Sequence, residues 1–421
     1  MQRRKLKSTS KADFEVAVVG GGPSGSTAAL VLARSGARVI VIDKAQFPRD
    51  KACGDVIGPK AVRILETLGV SRPADAIDLS DVAIVGPSGA AIRLPSEAGL
   101  DYSGIGWSCP RTSFDAHLLQ AAVTHGACVR TARVEKIGSD SRRFELRLSD
   151  GTEVTSDYLI GADGSNSSTA TQLDLVDSAS LLLGFAARSY VTGKVELPTI
   201  SLWNSDKRRL FPGYGWAFPS FGGRLNLGVG VGVGSNRKLG AAATKQVPIY
   251  AEMLYRTGII EKPPTLGPLL GGWIKMGSSG TKAALGNALL VGDAAGFVNP
   301  LQGEGIAQAI ASGKAAAEVI LAGYGRPAKQ YQNWIDDNLA PYQRAASVLH
   351  RLALQSPALA SVATSVLFAK PLESVIASTW GIFWNDLADG AGRISGAGSA
   401  RTLLKMLNYV DLLSNRNAPR P

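Results

Sequence analysis

The 421-residue sequence predicts an α/β fold with an antiparallel sheet in its middle and a helical C-terminal region. Three stretches favour this class. The first is an apolar, β-branched run at 14–19 that leads directly into glycines and a small-residue helix. The second is a set of short alternating segments between 181 and 271, which is typical of antiparallel strands. The third is the return of a strand and a long small-residue helix from Ala288 onward.

The N-terminal stretch predicts a complete βαβ unit. A strand is expected over Phe14–Val19, a helix over Ser26–Ser35 and a second strand over Arg38–Ile42. Asp43 ends the second strand. This order of elements is the start of a doubly wound parallel sheet.

Glycines join the first strand to the helix, and Gly20, Gly22 and Gly25 occupy the positions of a G-x-G-x-x-G motif. Gly20 permits a tight turn, Gly22 lets the backbone approach a pyrophosphate, and Gly25 lets the helix pack closely on the strand. The helix N-terminus favours negative charge, and Asp43 is placed to accept hydrogen bonds from a ribose diol. A glycine-rich turn without a ligand is the plain alternative. The strand, helix, second strand and acid in register instead favour a Rossmann-like dinucleotide-binding fold.

Composition limits the other functions. Apolar residues make up 45% of the chain and charged residues 19%, as in a folded protein with a large core. The cysteines form no C-x-x-C pair and the histidines have no metal-ligand spacing, so we expect neither a disulfide nor a metal site. Without disulfides, we expect a cytoplasmic location. Five cations precede Asp13 in a tail at 1–12 that we expect to be disordered. Because no base-reading motif accompanies it, the tail predicts peripheral contact with the inner membrane surface rather than with nucleic acid.

The predicted domains are discontinuous. A nucleotide-binding domain is expected over 13–180 and 272–325, with a small hairpin insertion near 82–105. An antiparallel β domain is expected over 181–271 and a helical region over 326–421. Within the first domain, a helix is expected after Arg111 with Ser113 as its cap. The apolar face of that helix consists of Phe114, Leu118, Leu119 and Ala122.

Two later glycine motifs indicate which dinucleotide binds. Asp163-Gly164 follows one predicted buried strand, and Gly292-Asp293 follows another and leads into the loop Pro300–Ile306. Asp293 can accept hydrogen bonds from a ribityl chain. A helix that starts at Gly305 directs its positive end at a flavin ring, which stabilises the reduced, anionic flavin. Each Asp-Gly alone is an ordinary turn, but the three motifs in this order favour FAD.

These motifs make the chain resemble glutathione-reductase-type FAD enzymes of the aromatic-hydroxylase shape over residues 13–325. Within that group it resembles the geranylgeranyl reductase family. The family-specific stretches are Lys51-Ala52-Cys53-Gly54-Asp55, the Y-x-W-x-F-P match Tyr214–Pro219, and Pro300–Ile306. The resemblance implies an FAD-dependent reductase that saturates isolated double bonds of polyprenyl (geranylgeranyl-type) chains on lipids, quinones or pigment precursors.

The resemblance also implies a set of cofactor-binding residues. Together with the motifs, it gives Gly20, Gly22, Ser24, Gly25, Asp43, Lys44, Cys53, Gly54, Arg111, Val134, Asp293, Gly305 and Ile306. It puts Ser24 on the pyrophosphate, Arg111 on the cofactor's linker and the Val134 backbone at the adenine. This chain departs from the pattern in two places. Asp43 replaces the commoner Glu, and Thr169-Ala170 replaces the usual Val-Arg pair.

The candidate catalytic residues are Cys53, Tyr214 and Trp216. Tyr214 and Trp216 alternate on one predicted strand and therefore face the same side. There they form either a wall of the substrate cavity or a pair of core aromatics. Cys53 is expected beside the flavin, where it donates a proton, shapes the pocket or acts as a small buried hydrophobe. Lys51 favours its thiolate, whereas burial and Asp55 oppose it.

Several alternatives stay open at the level of sequence. The uncharged stretch Leu352–Ala369 fits a lipid-tunnel wall, an interfacial surface or a buried helix pair better than a membrane span. The electron donor is NADPH or a ferredoxin. An FAD monooxygenase or halogenase acting on a small aromatic is the alternative enzyme, since fold does not fix function. A redox-responsive flavoprotein partner is the non-enzymatic one. The sequence indicates no oligomeric state.

Overall fold

The computed structural model describes residues 12–86, 89–94, 103–140, 143–202, 213–234, 240–323 and 325–356. The five cations of the predicted tail and everything after 356, including most of Leu352–Ala369, lie outside these residues. In the part that is described, no helix has both the length and the apolar character needed to cross a bilayer.

Eighteen strands are present within the described ranges. They are β1 (Phe14–Val19), β2 (Val39–Asp43), β3 (Val56–Ile57), β4 (Ile77–Leu79), β5 (Val82–Val85), β6 (Ala91–Leu94), β7 (Gly106–Ser108), β8 (Cys128–Thr131), β9 (Val134–Ser139), β10 (Phe144–Leu148), β11 (Glu153–Gly161), β12 (Leu182–Thr192), β13 (Thr199–Ser201), β14 (Gly213–Ser220), β15 (Arg224–Gly234), β16 (Leu270–Met276), β17 (Ala284–Leu285) and β18 (Ala288–Leu290). The α-helices are α1 (Pro23–Arg34), α2 (Pro59–Thr67), α3 (Arg111–Thr124), α4 (Ser168–Gln172), α5 (Gly240–Arg256), α6 (Ile306–Ala322), α7 (Pro327–Asn338) and α8 (Ala340–Gln355).

The first sheet has β1 at its centre. Its main order is β17-β18-β11-β1-β2-β8, and β1 pairs in parallel with β11 on one side and β2 on the other. β10 joins β11 in antiparallel register and carries β9. The core strands are buried, as expected for a parallel sheet covered on both faces. The predicted βαβ unit is therefore confirmed.

Three helices cover this sheet next to the glycine motif. α1 packs against α3 and α6, which brings the start of the chain against a helix beyond residue 305. α1 begins at Pro23, three residues before the predicted start, because proline suits the first helical turn, where its missing N–H is not needed. A three-stranded sheet of order β3-β7-β4 flanks this region.

The second sheet has the order β16-β12-β15-β14-β13-β5-β6 and is antiparallel except between β13 and β5. The predicted hairpin at Val82–Leu94 forms, and its strands extend this second sheet rather than the first. One face packs on α5, through residues such as Val247, Tyr250 and Leu254. The opposite face is left for the site.

One helix start differs from the expectation. Ser113 does not cap α3, because the helix already begins at Arg111 with Pro110 at the cap position. The Ser113 N–H instead bonds to the Pro110 carbonyl inside the first turn. The predicted apolar face of α3 is confirmed, since Phe114, Leu118 and Ala122 are buried.

Candidate functional site

One continuous cavity of about 1550 Å³ is lined by both large sheets. It exceeds the roughly 300–1,000 Å³ of a pocket for one small ligand. The predicted cofactor-binding residues, Gly25 excepted, all line it, and so do Cys53, Tyr214 and Trp216. The fold thus brings residues from both ends of the chain and from its middle to one space.

The glycine motif forms the floor of one end of the cavity. Gly20 has a φ of +106°, which only glycine adopts readily. A Cβ on Gly25 would lie 1.9 Å from the Gly20 carbonyl oxygen, so this position is closed by the loop itself. A Cβ on Gly22 would meet only Arg49 Nη2, at 3.5 Å. The cradle over Gly22, at the N-terminus of α1, is therefore open to a phosphate.

Asp43 holds the shape of this loop. Its Oδ2 accepts a hydrogen bond from the Gly21 N–H at 2.7 Å, and its Oδ1 accepts one from the Ala45 N–H at 2.8 Å. Each carboxylate oxygen keeps a further lone pair for another donor. Asp43 also lines the cavity, as a ribose-binding carboxylate must.

A pair of arginines shares one buried carboxylate beside the loop. Arg111 makes two bonds to Asp115, at 2.7 and 2.6 Å, and Arg49 reaches the same side chain at 2.7 Å. Burial lowers the pKa of Arg111, but the charge and hydrogen bonds of Asp115, together with a contribution from Cys53, raise that pKa above its ordinary value. Two cations and one anion leave a net positive charge next to the cradle. Arg49 was not predicted to belong to the site, because its only signal in the sequence is its place in the turn after β2.

Asp293 lines the cavity from the turn that follows β18. Its Oδ2 accepts from Lys51 Nζ at 3.1 Å and from Ser165 Oγ at 3.2 Å. Burial raises the pKa of Asp293, but the Lys51 charge and hydrogen bond contribute to a net lowering. Lys51 therefore pairs with Asp293, whereas the sequence analysis considered it as a partner for the Cys53 thiol.

The carboxylate of the Asp163-Gly164 motif stabilises the N-terminus of helix α4. Asp163 accepts hydrogen bonds from the Ser167 and Thr169 hydroxyls and from the Thr169 N–H, at the start of α4. Behind this motif lies Lys275, which is buried and donates to the Ala294 carbonyl at 2.6 Å. Burial lowers the pKa of Lys275 to about 8. The sequence analysis missed Lys275 because it interrupts an otherwise apolar strand without any motif.

Tyr214, Trp216 and Phe218 alternate along β14, and we call these three side chains the aromatic wall. Tyr214 and Trp216 share one face, with ring centroids 6.1 Å apart, and Phe218 lines the cavity with them. The Tyr214 hydroxyl donates to the Gln302 carbonyl, and burial raises its pKa. The wall is thereby tied to the loop that precedes α6.

Cys53 faces the cavity from the loop after β2. Its Sγ accepts the Asp55 N–H at 3.3 Å. Burial raises the pKa of the Cys53 thiol, and Arg111 opposes this without cancelling it. At neutral pH the side chain is therefore a thiol rather than a thiolate.

Comparison with known proteins agrees with this geometry. Residues 13–182 match the FAD binding domain family. The menaquinone reductase of Mycolicibacterium smegmatis is 34% identical over 81% of this chain and 84% of its own length. Digeranylgeranylglycerophospholipid reductase 1 of Methanopyrus kandleri is 31% identical over 73% of this chain and 80% of its own. The chain belongs to the geranylgeranyl reductase family of FAD-dependent oxidoreductases.

Solved structures match this family's fold. A geranylgeranyl bacteriochlorophyll reductase-like protein from Thermoplasma acidophilum matches with a TM-score of 0.65 and 22% sequence identity. The match covers 93% of this chain and 95% of that protein. The flavin-dependent brominase Bmp2 has a TM-score of 0.70 with 18% identity, 94% of this chain and 99% of its own covered. At these identities the likeness is one of fold. FAD is the cofactor of this geranylgeranyl reductase family member, and the open cradle, the helix N-terminus and the arginine pair fit its pyrophosphate.

Proposed function

We propose that this protein uses FAD to saturate double bonds of a polyprenyl chain carried by a quinone or a lipid. The observation that carries the proposal is the size and lining of the cavity. Besides the cofactor-binding residues and the aromatic wall, the lining includes the apolar side chains of Leu79, Val82, Pro198, Ile200 and Leu202. A cavity of this volume has room for a hydrocarbon chain in addition to a cofactor. The names of the two relatives support the same substrate class.

In this proposal the chain's residues divide the work of binding. The loop at Gly22 and Ser24, with Arg49 and Arg111, holds the pyrophosphate side, and Asp43 holds the ribose. Lys44 and Val134, which line the cavity, hold the adenosine end in this proposal. Asp293 holds the ribityl chain, and the start of α6 at Gly305 and Ile306 stabilises negative charge at the flavin. When bound, FAD supplies the hydride that the alkene accepts. Tyr214 and Trp216 hold the substrate chain and exclude water.

Cys53 supplies the second half of the addition in this proposal. One alkene carbon receives hydride, and the thiol proton of Cys53 goes to the other carbon, leaving a thiolate that takes a proton back from solvent. Two observations support this role: Cys53 lines the cavity, and burial raises the pKa of its thiol, which favours the protonated form. Nearby Gly54 has no side chain, which allows the aromatic rings of Phe218 and Trp216 to approach the loop that carries the thiol.

Anaerobic turnover tests the reaction. Dithionite-reduced enzyme with a polyprenyl quinone, and separately with a geranylgeranyl lipid, is expected to give products two mass units heavier for each bond. The quinone samples are reoxidised in air before mass analysis, because dithionite also reduces the head group to the quinol. An absolute need for oxygen and a product sixteen units heavier would identify a monooxygenase instead. Comparing the two substrates decides between quinone and lipid. No turnover of either with any reductant would favour the redox-partner alternative.

Cysteine variants test the proton donor. We expect Cys53→Ser and Cys53→Ala to slow alkene reduction roughly 10²-fold, while reduction of the bound flavin stays normal. Cys128→Ser is the control, because Cys128 is exposed. If the rate holds and only the pattern of reduced bonds changes, Cys53 shapes the pocket instead.

The electron donor we propose is NADPH or a reduced ferredoxin. Stopped-flow bleaching of the flavin absorbance, with each donor under argon, distinguishes them. The donor that reduces the flavin faster than steady-state turnover is competent. Failure of both would require another donor.

We also propose peripheral attachment to the inner face of the membrane. Two exposed leucines among the cavity-lining residues support this, Leu301 at 37% and Leu352 at 52% exposure. Five cations before Asp13 add attraction to anionic lipid, on the order of 1 kcal/mol each. Flotation with anionic vesicles, weakened by high salt and by Leu352→Asp, is the expected result. An equal amount of protein in the floating fraction with and without vesicles would contradict membrane attachment.

A further inference from the structure

Asn226 lies at the meeting point of the two halves of the site. It is fully buried on β15, opposite Tyr190 on β12 and Phe218 on β14. This is the face of the second sheet that turns towards the cavity, since Trp216 and Phe218 share it. A buried amide must satisfy its donors and its acceptor inside the protein. Each of those partners is identifiable.

The amide donates twice to one loop. Asn226 Nδ2 donates to the Cys53 carbonyl oxygen at 2.8 Å and to Asp55 Oδ2 at 2.7 Å. These two acceptors belong to the residues on either side of Gly54, so Asn226 holds the loop that carries the Cys53 thiol at two points. Asp55 is buried and has a φ of +66°, and its carboxylate also accepts from the Tyr190 hydroxyl.

The same amide accepts from the aromatic wall. Trp216 Nε1 donates to Asn226 Oδ1 at 2.9 Å. The Cys53 loop packs closely on the aromatic wall, because a Cβ on Gly54 would lie 3.2 Å from the Phe218 ring and 3.5 Å from Trp216 Nε1. One side chain therefore connects the loop after β2 to the wall on β14.

We propose that Asn226 is a positioning residue that fixes the Cys53 loop against Trp216, so that the thiol and the wall meet the same double bond. This inference rests on the proposed function. Asn226 touches neither the substrate nor the cofactor in this account and acts only through its three hydrogen bonds. An aspartate would keep the shape of Asn226 but lose both donors and place its carboxylate against Asp55. The Cys53 loop would then lose its two hydrogen bonds to position 226, while β15 keeps its place in the sheet.

The first test does not depend on the substrate. In FAD-loaded protein with Cys128→Ser as background, we expect Asn226→Asp to be alkylated at Cys53 by iodoacetamide about tenfold faster, since a released loop opens more often. Ser189→Ala is the matched control. It removes the hydrogen bonds from Ser189 Oγ to the Gly267 carbonyl at 2.9 Å and to the Tyr190 carbonyl at 3.3 Å, and neither acceptor belongs to the Cys53 loop. Cys53 labelling in this control is expected to match the background.

The second test uses turnover. With polyprenyl quinone and dithionite, Asn226→Asp is expected to lose about tenfold or more in kcat with KM changed less than about threefold, as for a residue that acts on geometry rather than on binding. If Asn226→Asp fails to retain FAD, Asn226→Ala decides by the same two readouts.

Three results would overturn the proposal. They are unchanged alkylation, equal acceleration in Ser189→Ala, and faster alkylation with a normal kcat. Absence of turnover in the wild type would refute the proposed function separately, and the alkylation rates would still decide whether Asn226 holds the loop.

Discussion

Replacing Gly22 or Gly25 by alanine separates cofactor binding from folding within one loop. A Cβ at Gly25 would lie 1.9 Å from the Gly20 carbonyl oxygen and 3.0 Å from Ala162 Cβ, so the backbone must shift. Such overpacking costs typically about 1–3 kcal/mol. A Cβ at Gly22 has nothing nearer than Arg49 Nη2 at 3.5 Å, so the apoprotein accommodates it. It occupies the cradle that the pyrophosphate needs.

We therefore expect opposite signatures from the two variants. Gly25→Ala should lower the free energy of unfolding of the apoprotein by about 2 kcal/mol. Gly22→Ala should leave it within about 0.5 kcal/mol of wild type but weaken FAD binding 10- to 100-fold, equivalent to about 1.4–2.8 kcal/mol. Urea unfolding of apoprotein and titration of apoprotein with FAD, followed by flavin fluorescence, give the two numbers. Wild-type FAD affinity in Gly22→Ala, or equal destabilisation by both variants, would refute the assignment of the cradle.

Three further predictions concern buried or paired charges. Burial raises the pKa of Asp55 to about 6 from 3.8, so the native state binds that proton more tightly and stability is lost as pH rises from 4 through 6. Relative to Asp55→Asn, wild type should lose about 3 kcal/mol of unfolding free energy over this range in urea titrations. A pH-independent difference would contradict it. For Lys275 the sign is reversed, because burial lowers its pKa to about 8 from 10.5. Wild type should gain up to about 3 kcal/mol relative to Lys275→Met between pH 8 and 10.5, in the same assay. Arg49→Met removes one cation beside the cradle and should weaken FAD binding about tenfold at low salt and less at high salt. Equal loss at both ionic strengths would argue against a phosphate contact.

Local patterns were enough to predict the start of the site. The buried strand β1, the glycine motif and the acid at the end of β2 follow one another within about thirty residues, so neighbouring side chains fix their conformation. The wall at Tyr214 and Trp216 was predictable for the same reason, since alternation on a strand sets the face. The family itself was identified from these short stretches and is confirmed by the relatives.

Two kinds of feature were missed, details of helices and buried polar pairs. Ser113 is a good cap by itself, but α3 already begins at Arg111, with Pro110 at the cap position. α5 has Pro248 in its interior, which hides the helix, although packing on the second sheet stabilises it. Asn226 and Lys275 have meaning only through the Cys53 and Ala294 carbonyls, which the tertiary fold brings to them. Buried polar pairs of this kind leave no periodic signal.

The central position of β1 also constrains how the enzyme is made. β1 and α1 leave the ribosome well before the strand β18 and the helix α6 that complete their surroundings, which follow about 270–290 residues later. At a translation rate of roughly 5–20 residues per second, the glycine loop waits on the order of 15–60 s for its last neighbours. During that interval the apolar side of α1 is uncovered and is a natural target for chaperones. Flavin loading therefore belongs to the end of synthesis, and chains truncated before α6 are expected to emerge colourless.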